Sequence, residues 1–140
     1  MVRLAVLVAT SLATLSGLHV FWAAGGRWGH GATIPERQGR PTFHPGGRST
    51  LVVAGLLATA SVLVLGRVRL GPAARFVILT HAGTWVIAAA FLLRGLGDFR
   101  LVGLFRRERD TRFAWWDRRL YTPLAFALGI STGIIAASTA

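Results

Sequence analysis

Three side chains of this sequence have the chemistry needed for acid–base catalysis: His19, Asp98 and Asp117. An imidazole titrates near neutral pH, so His19 is the candidate acid or base, and either carboxylate could orient it or a substrate. A neutral histidine can also simply hydrogen bond to a neighbouring helix, which is the structural alternative for His19. The catalytic interpretation therefore requires His19 to lie within hydrogen-bonding distance of one of the two acids.

Both acids have structural alternatives as well. Asp98 follows Gly97 and either caps a short interfacial helix over residues 99–105 or pairs with a nearby arginine. Asp117 either caps the last helix or pairs with an arginine beside it. The arginines concerned are Arg94 and Arg100 for Asp98, and Arg118 and Arg119 for Asp117.

Other chemistries have little support. The chain has no cysteine, which excludes disulfides, thiolate catalysis and cysteine-ligated metals. If the apolar runs around them are parallel helices of one bundle, a rise of 1.5 Å per residue places His19 and His81 roughly 14 Å apart along the bundle axis, too far to share a metal ion. Phosphate-binding loops and HExxH are absent, and no acid interrupts an apolar run, which disfavours a proton-coupled exporter. We expect no metal and no cofactor.

The elements that must position these residues are four apolar runs. The chain has 140 residues, 53% of them hydrophobic, and its mean hydropathy is +0.54. Helical runs of about 18 to 23 residues rise roughly 27–35 Å, which matches the hydrocarbon core of a bilayer. Backbone groups in lipid need internal partners, so each run should be helical. The runs without Asp, Glu, Lys or Arg are residues 4–26, 49–66, 76–93 and 120–140.

The sequence therefore predicts an all-α fold, an integral membrane four-helix transmembrane bundle, in a single domain over residues 1–140. A cleaved signal peptide is the alternative for the first run, but that run is long and lacks a clean cleavage site. An even number of crossings puts the first and third loops on the same face. We expect spans at about 4–24, 49–66, 75–94 and 120–139, with polar loops at 25–48 and 95–119.

The arginines favour one orientation. All sixteen basic residues are arginine, and twelve belong to the face of the first and third loops. The positive-inside rule then makes these loops cytoplasmic and turns both termini outward, in a multi-pass protein of the cell (plasma) membrane. The bias toward Arg, Gly and Ala is typical of a GC-rich bacterial genome. Because the net charge of +11 lies beside apolar spans, we expect membrane lipids and no nucleic acid as partners.

The same face gathers all five acids and three of the five tryptophans. We call this face the cap: residues 25–48, residues 95–119 and the helix ends beside them. Amphipathic aromatic side chains prefer the head-group level. Arg106, Arg107, Arg109 and Arg112 are interpreted as solvated charge that meets lipid phosphates, with a dedicated anion site as the alternative. The predicted ligand-binding residues are Trp22, Arg94, Arg100, Trp115, Trp116 and Tyr121.

Small residues recur every four positions in the first and last runs, and positions four apart form one ridge of a helix. Such ridges permit close packing in lipid. They predict that the first and last helices meet, that each packs on the second or third helix, or that they form a homo-oligomer. The ridges are Ala5, Ala9, Ala13 and Gly17, and Ala125, Gly129, Gly133 and Ala137.

Four segments resemble a known family. They read "HVFWAAGGRWG", "IPERQGRPTFHPG", "LLRGLGDFRLVGLF" and "TRFAWWDRRLYTPL", in this order along the chain, and the overall resemblance extends over essentially the whole chain. They are similar to the bacterial small four-helix membrane proteins grouped as a domain of unknown function, DUF3995. The resemblance implies four transmembrane helices with the signature segments on one face, and it implies no activity. The signature positions are His19, Trp22, Gly25, Gly26, Arg94, Gly97, Asp98, Phe99, Arg100, Asp117, Tyr121 and Pro123.

Three functions remain open at this point. The first is a membrane protein whose cap binds an anionic lipid or amphiphile through its arginines and tryptophans. The second is a membrane enzyme that acts on a lipid-borne substrate, with His19 as acid or base. The third is a small transporter or an accessory subunit with a membrane-protein partner.

Overall fold

A computed structural model describes residues 1–38 and 40–138. It contains four helices that are long and apolar enough to cross a membrane. We label the first three α1, α2 and α3, and the fourth consists of α4, one π-helical turn and α5. The all-α fold of an integral membrane four-helix bundle is thus confirmed. The bounds are α1 Val2–Ala23, α2 Gly47–Arg67, α3 Val77–Leu96, α4 Arg112–Trp116, the π-helical turn Asp117–Tyr121 and α5 Thr122–Ala137.

Short elements fill two of the connections. The first loop contains a 3-10 turn, His30–Ala32, and an antiparallel pair of two-residue strands in which Arg37 lies opposite Arg40. A second 3-10 turn, Pro72–Arg75, precedes α3, and its proline occupies a first-turn position where no N–H is needed. The strands are β1, Glu36–Arg37, and β2, Arg40–Pro41.

Large apolar side chains cover the outside of the helices. Leu7, Leu56, Ile78 and Val86 are all exposed on the isolated chain. Such exposure would be unfavourable in water, whereas hydrocarbon solvates these side chains as well as a protein core does. The outer surface is therefore suited to contact lipid.

The bundle consists of two helix pairs, in which α1 packs chiefly on α2 and α5 packs chiefly on α3. Hydrogen bonds join the first pair in both directions. The Ser16 hydroxyl donates to the carbonyl of Ala54 at 2.8 Å, and the Ser61 hydroxyl donates to the carbonyl of Ala9 at 2.9 Å. Buried hydroxyl donors that reach a partner helix stabilise association in lipid.

The small-residue ridge of α5 faces α3. A Cβ placed on Gly129 would lie 2.8 Å from Leu92 Cγ and 3.0 Å from the Leu92 backbone nitrogen. One turn later, a Cβ on Gly133 would lie 3.9 Å from Ala88 Cβ, at ordinary contact distance. The ridge of α1 is used only in part, because Ala5 and Ala9 are buried while the ridge residues of its second half are exposed.

At the end of the bundle opposite the cap, a buried arginine holds the C-terminus of α5. Arg67 is 8% exposed, and its Nη2 donates to the carbonyls of Ala136 (3.1 Å) and Ser138. These are carbonyls that a helix end leaves without partners, and the cation also opposes the negative end of the helix dipole. Arg67 therefore ties the last turn of α2 to the last turn of α5.

Candidate functional site at the charged cap

Asp117 is the centre of the cap. Its side chain is 0% exposed, and both carboxylate oxygens accept hydrogen bonds. Arg94 Nη2 donates to Oδ1 at 2.8 Å, and Arg106 Nη1 donates to Oδ2 at 2.8 Å. Oδ2 also accepts from the Gly103 backbone N–H at 2.8 Å and from the Thr122 hydroxyl at 3.2 Å. A carboxylate satisfied this completely binds the end of α3, the third loop and the start of α5 together.

The π-helical turn explains how Asp117 and Thr122 meet. Residues five apart lie on different sides of an α-helix but come close together in a turn with i to i+5 hydrogen bonding. The turn therefore aligns the Thr122 hydroxyl with the Asp117 carboxylate on the inner face of the helix. The expected pairing of Asp117 with Arg118 or Arg119 is wrong, because consecutive helical residues point in different directions and both arginines are exposed. The expected cap of the last helix is wrong as well, because Asp117 lies inside the fourth helix and not at its start.

Arg106 also departs from expectation. Its place in the arginine run predicts a solvated side chain, yet it is only 6% exposed and donates to the Gly103 carbonyl at 2.6 Å as well as to Asp117. Its guanidinium and the Asp117 carboxylate form a buried pair in which each charge compensates the other. Arg94 is half-buried, and its Nη1 atom has no hydrogen-bond partner among the described residues.

Asp98 organises the third loop without starting a helix. Its Oδ1 accepts from the backbone N–H groups of Arg100 (2.9 Å), Leu101 (2.7 Å) and Val102 (2.9 Å). The predicted interfacial helix over residues 99–105 is therefore wrong, and so is the pairing of Asp98 with an arginine side chain. Burial on its own raises the pKa of Asp98, but the hydrogen bonds from these N–H groups outweigh it and hold the pKa below its ordinary value.

Two glycines allow the third loop to fold back on the end of α3. Gly97 has φ +89° and Gly103 has φ +87°, and each would place a Cβ against the backbone of the other. Only glycine combines these left-handed conformations with so close an approach. The fold is completed by the Leu104 N–H, which donates to the Gly95 carbonyl at 2.8 Å. Residues 97–103, "GDFRLVG", thus form a compact loop whose glycines and aspartate have structural roles.

His19 belongs to a separate cluster of aromatic rings. Its Nδ1 lies 2.8 Å from the Leu15 carbonyl, which can only accept, so Nδ1 carries the proton. Its ring packs edge-on against the Trp22 ring, with 5.0 Å between the ring centroids, and the centroid of the His30 ring lies 5.6 Å from that of Trp22. Among the hydrogen bonds of the described residues, none joins His19 to Asp98 or Asp117.

Tyr121 joins the first loop to the fourth helix. Its hydroxyl donates to the Ala32 carbonyl at 3.2 Å, and its ring packs against the Phe113 ring with 6.0 Å between the ring centroids. At the end of α1, Trp22 Nε1 donates to the carbonyl of Trp28 in the first loop at 2.8 Å. The first loop therefore lies against the start of the fourth helix, and the two predicted ligand-binding residues Trp22 and Tyr121 use their polar atoms within the protein.

Two open hollows lie on the outer surface of the cap. The first, which we call the tryptophan hollow, has a volume of about 690 Å³, and its walls combine three arginines with two tryptophans. Trp115 is 47% and Trp116 is 38% exposed, and their rings contact edge to face at 4.8 Å. The guanidinium of Arg119 lies 4.2 Å from the centre of the Trp115 ring. The hollow is lined by Arg109, Asp110, Thr111, Arg112, Trp115, Trp116 and Arg118.

The second hollow, which we call the interloop groove, has a volume of about 680 Å³ and separates the β1–β2 hairpin from the third loop. Its walls include four arginines, two from each loop, and no aromatic ring. The groove is lined by Arg37, Arg40, Pro41, Thr42, Arg100, Leu101, Arg107 and Glu108.

The structure thus divides the predicted site residues into groups. Arg94 meets Asp117, Trp115 meets Trp116, and Arg100 lies in the interloop groove beside the turn formed by Asp98. His19 and Trp22 form their own cluster. For all of these residues, a role in catalysis or in ligand binding stays a prediction. Sequence reasoning missed Gly103 and Thr122 as partners of Asp117, and it missed Arg37 and Arg40 as residues that face the third loop.

The fold and the cap define a class of protein: a four-helix membrane protein whose two polar loops close over one end of the bundle around a buried aspartate. The chain belongs to the family described as Protein of unknown function (DUF3995), whose profile matches residues 12–132. The matched region includes every residue of the Asp117 cluster. No curated protein and no solved structure gives a significant match to the chain.

Proposed function

We propose that this protein binds an anionic lipid or amphiphile at the tryptophan hollow of its cap, in the plasma membrane. The observation that carries the proposal is that two exposed tryptophans and three arginines line one hollow at the point where the fourth span begins. Indole rings favour the head-group level of a bilayer, and arginine favours lipid phosphates. The hollow therefore offers both kinds of contact that an amphiphilic anion needs.

The surroundings of the hollow fit this role. The described ion pairs use Arg94 and Arg106, so the arginines that line the hollow are in no salt bridge of the described residues. Arg94 and Tyr121 make contacts within the protein: Arg94 donates to the Asp117 carboxylate, and Tyr121 donates to the Ala32 carbonyl of the first loop. In the proposed arrangement they fix the start of the fourth helix, and Trp115, Trp116 and the outer arginines contact the lipid.

The catalytic alternative has weaker support. A general base oriented by a carboxylate needs that carboxylate within hydrogen-bonding distance. The described polar contact of His19 is the Leu15 carbonyl, and the carboxylate oxygens of Asp117 accept from Arg94, Arg106, Gly103 and Thr122. No specific observation favours an enzyme or a transporter over lipid binding.

The test is native mass spectrometry of the full chain purified from its membrane, followed by lipid titration in nanodiscs. We expect phosphatidylglycerol to bind more tightly than phosphatidylcholine. The triple substitution of Arg109, Arg112 and Arg118 to Gln should weaken phosphatidylglycerol binding at least about tenfold, because each surface arginine contributes about 1 kcal/mol toward anionic lipid.

The matched control removes the same number of charges at the other end of the bundle, by substituting Arg3, Arg69 and Arg75 with Gln. These three arginines are also exposed. The control should bind phosphatidylglycerol as the unmodified chain does. Equal losses in the two triple variants, or no preference for anionic lipid in the unmodified chain, would show that the tryptophan hollow is not a lipid site.

A further inference from the structure

The interloop groove is a second concentration of charge, distinct from the tryptophan hollow. Four guanidinium groups line it, from Arg37, Arg40, Arg100 and Arg107, and Glu108 is the only acid among the lining residues. All four arginines are exposed, and none of them takes part in a salt bridge of the described residues. Like charges gathered around one hollow repel each other unless an anion lies between them.

The backbone on both sides of the groove is well fixed. On the third loop, the carbonyl of Arg100 accepts from the N–H groups of Arg107 (2.9 Å) and Glu108 (3.0 Å), which brings Arg100 and Arg107 together. The Asp98 carboxylate holds the Arg100 N–H from the other side. This turn places two arginines that are seven positions apart in sequence on one wall.

The hairpin provides the opposite wall. Arg37 and Arg40 are paired residues of β1 and β2, and both the backbone N–H and the hydroxyl of Thr42 donate to the Pro35 carbonyl, at 2.9 Å and 2.8 Å. The Tyr121 hydroxyl on the Ala32 carbonyl ties this first loop to the helix that follows the third loop. Each wall therefore has its own hydrogen bonds, and Tyr121 anchors the first loop to the fourth helix, which begins where the third loop ends.

We infer that the interloop groove is a binding site for a phosphate group with at least two negative charges, such as a phosphomonoester or a diphosphate. Arginine is the side chain best matched to phosphate, because its planar fork donates two parallel hydrogen bonds to two oxygens. The absence of aromatic rings from the lining separates this site from the tryptophan hollow, since nothing in it favours an acyl chain. The inference stands on different residues from the proposed lipid site and does not depend on it.

The test uses the full chain in nanodiscs of phosphatidylcholine and titrates inorganic pyrophosphate by isothermal calorimetry. We expect saturable binding that weakens as salt is raised, and a loss of about tenfold or more when Arg37, Arg100 and Arg107 are changed to Gln together, since three charge-assisted contacts are removed. The triple Gln variant of Arg3, Arg69 and Arg75 is the matched control, because it removes three exposed arginines that line neither hollow, and it should bind pyrophosphate like the unmodified chain. Unchanged elution on size exclusion confirms that both variants are folded.

A second arm distinguishes a free phosphate from a lipid head group, with nanodiscs that contain phosphatidic acid in place of added pyrophosphate. A groove variant that loses pyrophosphate binding supports a soluble ligand, and one that loses only the preference for phosphatidic acid supports a lipid phosphate. The inference is overturned if neither probe binds, or if the groove variant and the control variant lose both probes equally. Failure of the lipid titration at the tryptophan hollow would leave these outcomes unchanged.

Discussion

At the scale of the residue, Asp117 determines how the cap is built. Its carboxylate is fully buried and accepts from two arginines, a backbone N–H and a hydroxyl that come from three different segments. A buried ion is tolerated only when its charge and its hydrogen-bonding capacity are both matched. The sequence pointed to Asp117 but to the wrong partners, because the true partner Arg106 lies eleven positions away and reaches it only through the fold of the third loop.

Replacing Asp117 with Ala should therefore destabilise the protein by about 3–5 kcal/mol, because Arg106 would be left as a buried cation without a negative charge to compensate it. Thermal unfolding in detergent measures the change. The matched control is Asp110→Ala, which removes an exposed acid from the same segment and should change stability by less than about 0.5 kcal/mol.

A double-mutant cycle separates the ion pair from general disruption. Arg106→Met combined with Asp117→Ala should be less destabilising than the two single substitutions added together, with a coupling of about 1–3 kcal/mol. Additive effects, or equal stability of the Asp117 and Asp110 variants, would contradict the assigned role.

At the scale of the element, the helices follow from composition while their pairing does not. Apolar runs of sufficient length have to be helical in lipid, which is why all four spans could be predicted. Their ends were less predictable, because helices end where the backbone geometry changes and not where the charges begin. Thus Arg3, Arg67 and Arg94 all lie inside helices. Small-residue ridges fit several partners equally well, so the sequence left open that α5 packs on α3.

The α3–α5 contact gives a test within one ridge. Gly129→Ala should destabilise the bundle by about 1–3 kcal/mol, because the added methyl group would press on Leu92, whose backbone cannot move aside easily. Gly133→Ala, one turn later, should have an effect close to zero, since its methyl group would meet Ala88 at contact distance. Unfolding in a graded series of detergent and SDS mixtures compares the two variants. Equal effects would show that Leu92 is not closely packed against Gly129.

At the scale of the whole molecule, the protein has two unlike ends. One end carries the polar loops and is built around Asp117, with the first loop bound to the fourth helix through Ala32 and Tyr121. The other holds Arg67 against the last turn of α5. The clustering of charge, aromatic residues and signature segments at one end could be predicted from the sequence. Which arginines are buried and which are exposed could not be predicted, because burial depends on the tertiary fold. Arg106 is buried, for example, whereas its neighbour Arg107 is exposed.

The orientation in the membrane can be tested directly, because the chain has no cysteine of its own. Single substitutions Gln38→Cys in the first loop and Leu70→Cys in the second loop introduce one exposed thiol each. By the positive-inside rule, a membrane-impermeant maleimide should label only the Leu70→Cys variant in intact cells and both variants after lysis. Labelling of the Gln38→Cys variant in intact cells would show that the protein has the opposite orientation.

The π-helical turn at Asp117–Tyr121 makes the fourth span sensitive to its own length. Each residue added or removed between the carboxylate and Gly129 would rotate everything downstream by about 100°, turning the glycines toward lipid while the polar cluster stays in place. Insertions and deletions within residues 117–129 should therefore destabilise the bundle, whereas those in the first loop should be tolerated. The number of residues between Asp117 and Gly129 determines which side of the helix faces α3.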